Sequence, residues 1–532
     1  MTKHKEGLQR CLVVSLLAVM GLGAIGSDDA RVAEAVKDRD ESAMMAVLEQ
    51  GADVNRPLVD GTTALHWAVY WNDLHTADLL IRAGADVNAT NRYGASPLWM
   101  ACTDGNDAMV RMLLNAGANP NLLAVGGEPV LMAAARAGSL EAVKALLTYG
   151  ADINRKESRH GQTALMWAIG GHDQHSAVAQ VLLEHGADVN VRSQGGFTPL
   201  MFAVRQGDEQ STRLLIKAGA NVNDRAMLPD GQQMAILGSS NWTVPSADGS
   251  SVLTMAIDNG HDELAMFLLE SGADPNTSSD LYPYRSNPLG QAVPSVSIRG
   301  EALKPGFTPL HAIVYRRAKS REGEDQSTLA LMEALIAHGA DLNARTPSVK
   351  APIPLQATPQ PLITFVEVGG ITPFWIASNT LDIEAMRVLV ANGADSRLTS
   401  MEHTTPMMVA AGLGYSTRGP SGGLGRRGRV NAEGVEAIKL LLTWGNDINA
   451  VNDYGQTALH AAAFAASPAA VELLVDNGAR LDLKDAMGRR PLEVADDNRK
   501  DEYRPGLQNH DPADIEATWT LLGRLTGEAA VK

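Results

Sequence analysis

Residues 419–428, "GPSGGLGRRG", hold two short patterns that elsewhere mark reactive sites. "GLGRRG" at 423–428 satisfies G-x-G-x-x-G, the loop that wraps a dinucleotide pyrophosphate. "GPSGG" at 419–423 satisfies G-x-S-x-G, which presents a nucleophilic serine. Both work only where a strand, a tight turn and a helix follow one another. Here both lie inside one Gly-rich stretch, 414–434, with four arginines and no strand-like run before it, a composition that predicts disorder. His66, His311 and His460 recur in similar surroundings, as metal ligands might, but no second ligand recurs beside them. The chain contains no Walker A sequence, no H-E-x-x-H, no C-x-x-C and no C-x-x-C-H. Its carboxylates belong mainly to repeated "GAD" turns and solvated helix faces. Catalytic chemistry, a cofactor and a metal are therefore not expected.

Composition narrows the remaining classes. The 532 residues are 45% hydrophobic and 20% charged, the balance of a folded protein. Aromatics make up only 5%, which suits thin helices packed closely. A formal net charge of −16 argues against nucleic acid as a partner, because phosphate contacts need a surplus of Lys and Arg. It also disfavours anionic membrane surfaces.

Residues 1–26 read as a signal peptide: "MTKHKEGLQR" is basic and "CLVVSLLAVMGLGAIG" is uncharged, with small residues before Ser27. The apolar run is short for a spanning helix, and an uncleaved N-terminal anchor is the alternative. Cys11 is badly placed for lipid attachment, and cleavage would leave Cys102 alone, without an intramolecular disulfide. The expected location is exported, periplasmic or secreted, with no membrane contact beyond the export signal.

The elements that hold these residues come from repetition. A glycine recurs at Gly51, Gly84, Gly117, Gly150, Gly186, Gly219, Gly272, Gly339, Gly393, Gly445 and Gly478, usually followed by Ala, Asp or Asn, an apolar residue and Asn. Ten residues later a second glycine generally opens the next unit, as at Gly61, Gly94 and Gly455. Thr followed by Ala or Pro then caps a helix, and a run such as "ALHWAV" follows at helical spacing. A polar break precedes a second helix, closed by a left-handed glycine. Neither helix can bury its apolar face alone, so neighbours must stack.

"DGTTALHWAVYWNDLHTADLLIRAGADVNA" (60–89), "GFTPLHAIV" (306–314) and "GQTALHAAAFAASPAAVELLVDNGARLDL" (455–483) resemble ankyrin repeats. The resemblance covers about residues 30 to 500. It implies an all-α solenoid of about ten to eleven stacked repeats, with hairpin loops and several insertions. It also implies that the three histidines are structural. Trp99, Met132, Met166, Met201, Thr254, Trp375 and Met408 stand in that place in other units.

Irregular spacing locates the insertions. Three consecutive hairpins are lengthened, at 225–248, 277–305 and 344–369, and neighbouring hairpins project from one edge, so these predict a side-by-side lobe. Further extra residues fall between paired helices, the longest at 414–434. The segments read as a signal peptide (1–26), a capping repeat (27–60), regular repeats (61–224), repeats with long hairpins (225–369), repeats with the Gly/Arg-rich insert (370–488), and a C-terminal cap and tail (489–532).

The resemblance further implies a protein-binding scaffold whose contacts come from hairpin tips, the residue after each opening glycine and the end of each first helix. Those positions give Tyr70, Trp71, Asp104, Arg136, Phe197, Arg205, Gln206, Phe307, Tyr315, Arg316, Ile371 and Asn379. Trp67, Trp167 and Phe202 are expected to point inward. The expected protein is monomeric, with a protein partner. The competing reading is an accessory subunit of an exported enzyme, or a hydrolase whose site lies in 225–369.

Overall fold

The computed structural model describes residues 30–170, 176–226, 249–278, 285–286, 292–293, 306–317, 325–347, 369–413, 432–500 and 511–528. They fall into two compact units divided between Arg159 and His160, inside the stretch 61–224 whose spacing reads as one block. The signal-peptide reading of 1–26 lies outside the described residues, as do both glycine-rich patterns of 419–428.

The first unit is four helix pairs: α1 (Arg31–Lys37) with α2 (Glu41–Glu49), α3 (Ala64–Tyr70) with α4 (Leu74–Arg82), α5 (Pro97–Thr103) with α6 (Asp107–Asn115), and α7 (Val130–Ala137) with α8 (Leu140–Thr148). The polar break between partners is a cap. Asp40, Asp73 and Asn106 accept the backbone N–H of Ala43, Thr76 and Met109 at 2.8, 3.0 and 3.1 Å. Apolar residues at helical spacing fill the space between pairs: Leu65, Leu80, Leu98, Leu113 and Leu146 are fully buried. Each contributes about 1.5–3 kcal/mol relative to exposure.

The second unit repeats the plan. Its pairs are α9 (Ala164–Gly170) and α10 (Ser176–Glu184), α11 (Pro199–Gln206) and α12 (Glu209–Lys217), α13 (Val252–Asp258) and α14 (Asp262–Glu270), and α15 (Pro309–Arg317) and α16 (Asp325–Ala337). They continue with α17 (Pro373–Thr380) and α18 (Ile383–Ala391), α19 (Pro406–Ala410) and α20 (Ala432–Thr443), α21 (Ala458–Phe464) and α22 (Pro468–Asp476), and α23 (Pro491–Lys500) and α24 (Pro512–Thr526). The last helix is held by Arg490 to Glu528 at 2.6 Å and by Arg499 over the Trp519 ring at 3.9 Å. The architecture is all-α.

The expected hairpins contain almost no strand. Among the described residues only Arg285–Ser286 and Ala292–Val293 pair, with isolated bridges at Leu123–Pro129 and Arg225–Ser251. Their arms are too short for a ladder, and side chains do the joining. Asn55 donates to the Gly84 carbonyl at 3.0 Å and accepts from Asp86 N–H at 2.6 Å. Asn88 and Asn121 do the same one repeat on, to Gly117 and Gly150. The final Asn of "GADVN" is therefore a clamp on the next helix end, satisfying a carbonyl the helix leaves free.

The clamp survives the insertions. Asn223 reaches Gly272 at 3.1 Å across the first, and Asn276 reaches Gly339 at 2.9 Å across the second. Asn343 accepts from Asp395 N–H at 2.9 Å across the third. The stems of the first and third close with Ala226 N–H to Ser250 O and Thr346 N–H to Ile371 O, both 3.0 Å. Extra residues thus leave the stack without changing its spacing.

Gly61 shows why an opening glycine is required. Its φ is +82°, and a Cβ there would lie 3.0 Å from Arg92 N and 3.1 Å from Asn91 Cα. Gly61→Ala is expected to lower stability by about 1–3 kcal/mol, measured as the chemical-denaturation midpoint of the first unit. An unchanged midpoint would show that the hairpin relaxes freely.

Candidate partner-binding face

The three recurrent histidines are occupied by structure. In each, Nδ1 accepts from a threonine three residues earlier and Nε2–H donates to a carbonyl of the next hairpin. His66 takes Thr63 Oγ1 at 2.8 Å and gives to Ala95 O at 3.0 Å. His311 takes Thr308 and gives to Ile371 O at 3.2 Å, and His460 takes Thr457 and gives to Arg489 O at 3.0 Å. Burial holds all three below the ordinary imidazole range, His311 down to about 4. Trp375, in the same register, gives its indole N–H to Thr404 O at 3.0 Å and so does the histidine's work with a larger ring. Among the described residues, no three His, Cys, Asp or Glu side chains are grouped to hold a metal ion. Burial pushes the Cys102 thiol well up, which makes it a poor nucleophile.

In the first unit the proposed contact residues lie at the ends of first helices. Trp71 caps α3 and is 37% exposed, with Tyr70 half-buried beside it. Asp104 caps α5 and is exposed. Arg136 ends α7 and pairs with Glu128 at 3.3 Å, which also accepts the Trp99 indole N–H at 3.3 Å. Trp67 is buried, as its inward position predicts.

In the second unit Arg205 and Gln206 are exposed at the end of α11. Others are not available. Phe197, Phe307, Tyr315, Ile371 and Asn379 are buried, the least covered at 7% exposure. The apolar residue after an opening glycine packs into its own stack: the Phe307 ring lies on His311 at 5.3 Å and edge-on to Tyr315 at 6.0 Å. Phe197 meets Phe202 at 5.9 Å. Arg316 is mostly covered, ion-paired with Asp262 and donating to Ile257 O at 2.6 Å, so it ties α15 to the preceding pair. Trp167 and Phe202, expected to be core, are half-buried instead, because Ala and small side chains around them leave one side open.

Hairpin tips supply exposed side chains that helical spacing does not single out. Tyr93, Tyr454 and Met487 each immediately precede an opening glycine and are exposed, as are Val59 and Met401 two residues before theirs. Their signal is positional: a large side chain at the outermost residue of a tight turn has no neighbour to pack on. Tip-to-tip contacts join adjacent hairpins, with Tyr454 OH donating to Glu402 at 2.7 Å and His403 meeting Asp453 at 2.6 Å. His403 holds the opening glycine's place at φ +57°. No described helix is long and apolar enough to cross a membrane. The insertion lobe expected from 225–248, 277–305 and 344–369 lies mostly outside the described residues.

Comparison with known proteins matches this pattern. The family described as "Ankyrin repeats (3 copies)" matches residues 32–124, 131–226 and 430–514, and that described as "Ankyrin repeat" matches 248–280 and 305–347. E3 ubiquitin-protein ligase KEG of Arabidopsis thaliana is 22% identical over 338 residues, 58% of this chain and 18% of the relative. Ankyrin repeat domain-containing protein SAT10 of Stachybotrys chartarum is 34% identical over 374 residues, 61% of this chain and again 18% of the relative. The chain thus spans less than a fifth of either relative. The solved ankyrin repeat domain of human ASB11 is 28% identical and matches with a TM-score of 0.37, covering 46% of this chain and 98% of that one.

Proposed function

Because the chain belongs to the ankyrin-repeat family, whose repeats generally mediate protein–protein binding, we propose that it is a non-enzymatic scaffold that binds a protein partner outside the cytoplasm. The observation that carries this is where exposed large side chains fall. They concentrate at first-helix ends and hairpin tips, Trp71, Tyr93, Met401, Tyr454 and Met487 among them, while the helix faces between repeats are filled. Aromatic, Met and Arg side chains at such points are the types that dominate binding energetics. The basic-then-apolar leader at 1–26 supports export, and the array acts as a monomer.

A tagged full-length chain, expressed in its own host, tests both parts. It is expected in the exported fraction, shortened by about the leader's length, with a protein partner captured in stoichiometric amount. Retention of the intact chain in the cytoplasm would remove the export part. Capture that survives alanine at every exposed tip and helix-end residue would remove the binding face.

A further inference from the structure

The head of the first unit carries an aromatic cluster with two uncommitted cations. Trp67 and Trp71 stack at 6.3 Å, and Tyr70 stands edge-on to them at 5.5 and 4.9 Å. Lys37 Nζ lies 5.8 Å from the Trp67 ring centre and the Arg39 guanidinium 5.2 Å from that of Trp71. The carboxylates nearby are engaged elsewhere: Asp40 and Asp73 cap helices, and Glu41 meets His75 at 3.3 Å. Among the described residues, neither Lys37 nor Arg39 has an ion-pair partner. Arg39 is itself held at φ +61°, in a turn that presents it to the ring.

Two further features point to a ligand. The Trp67 side chain is more than nine-tenths buried, yet its indole N–H has no acceptor among the described residues. Buried donors are nearly always paired, so an orphan beside a cleft asks for an acceptor. That cleft, of about 110 Å³, lies between α1, α2 and α3, with Val36, Met44 and Ala68 inside and Arg39 and Trp71 at its lining. It has space for roughly three or four waters, or for one aliphatic side chain.

We propose that this is the anchor site for an extended peptide segment of the partner carrying an acidic residue beside an aliphatic one. The aliphatic side chain fills the cleft and the carboxylate sits against Lys37 and Arg39. A turn of the exposed Trp71 ring lets a peptide carbonyl accept the Trp67 N–H. A basic peptide would set like charge against both cations, and a proline-rich one would use the rings and leave the cations without counter-charge. The proposal rests on the scaffold reading above and names the partner's chemistry at one end of it.

A phage library of random dodecapeptides, panned on the full chain, tests it. The expected consensus places Asp or Glu beside Leu, Ile or Val. A synthetic consensus peptide should lose affinity about tenfold for the Lys37→Gln/Arg39→Gln protein, and weaken as NaCl rises from about 50 to about 300 mM. Both glutamines keep the side-chain stems, and circular dichroism confirms that the variant is folded. A basic, neutral or proline-rich consensus overturns the proposal, as does equal binding to wild type and variant. If equal binding is accompanied by loss with Arg205→Ala, the scaffold reading stands and only this site falls. If no peptide is enriched, both fall.

Discussion

Acidification from about pH 6.5 toward pH 4 is expected to cost this protein much of its stability, before its carboxylates titrate. His66, His311 and His460 are neutral in the fold, because Nδ1 already receives threonine donors and a proton there would face them. The folded pKa of each lies below the ordinary value of 6.5, for His311 at about 4. Between those limits the unfolded chain binds more protons than the folded one, so stability falls as pH falls. It is fully present above 6.5 and is lost down to the folded pKa. For His311 alone the loss reaches about 3 kcal/mol, and the other two add in the same direction. Carboxylates lowered by capping or ion pairing, such as Asp73 and Asp395, act only below their ordinary range near 4. Melting temperature measured from about pH 7.5 to 4.5 should therefore drop steeply, and more shallowly in His311→Gln. A flat profile would contradict the buried neutral assignment.

Removal of the Arg317 guanidinium is the second large effect. The side chain is 3% exposed and lies 2.9 Å from Asp382, 3.0 Å from Glu384 and 2.9 Å from Thr328 Oγ1. It links α15, α16 and α18, spanning the stretch 318–324 that separates its own helix pair. Arg317→Met leaves Asp382 covered and short of a counter-charge, so the expected cost is about 3–5 kcal/mol. The exposed pair Arg480–Asp482 provides the control, since surface pairs contribute about 0–1 kcal/mol. Urea denaturation of both variants measures the difference. A loss for Arg317→Met no larger than for Arg480→Ala would show that the buried cluster is replaceable.

The repeat plan was readable because each of its parts is a local rule. Thr63, Thr372 and Thr405 begin helices, Asp73 and Asp382 begin their partners, and Gly84 ends one at φ +91°. The role of Asn55 and its counterparts was not readable, since the carbonyl each one clamps belongs to another repeat. The contact face was readable only at Trp71, Asp104, Arg205 and Gln206, which end helices in open surroundings. Phe307, Tyr315 and Asn379 occupy equivalent positions, but burial in a stack depends on the neighbouring repeat, and there the neighbours close over them. Lys37 and Arg39 gave no pattern at all, because their meaning comes from rings some thirty residues away.

The scaffold reading is tested most directly by measuring partner affinity and melting temperature together in Trp71→Ala and Arg205→Ala. Both side chains are exposed, one in each unit, and neither fills a core. If they are interface anchors, affinity for the captured partner should fall by roughly 1–4 kcal/mol in each, with the melting temperature nearly unchanged. If the melting temperature falls instead and affinity is untouched, the side chains serve the fold and the partner docks elsewhere.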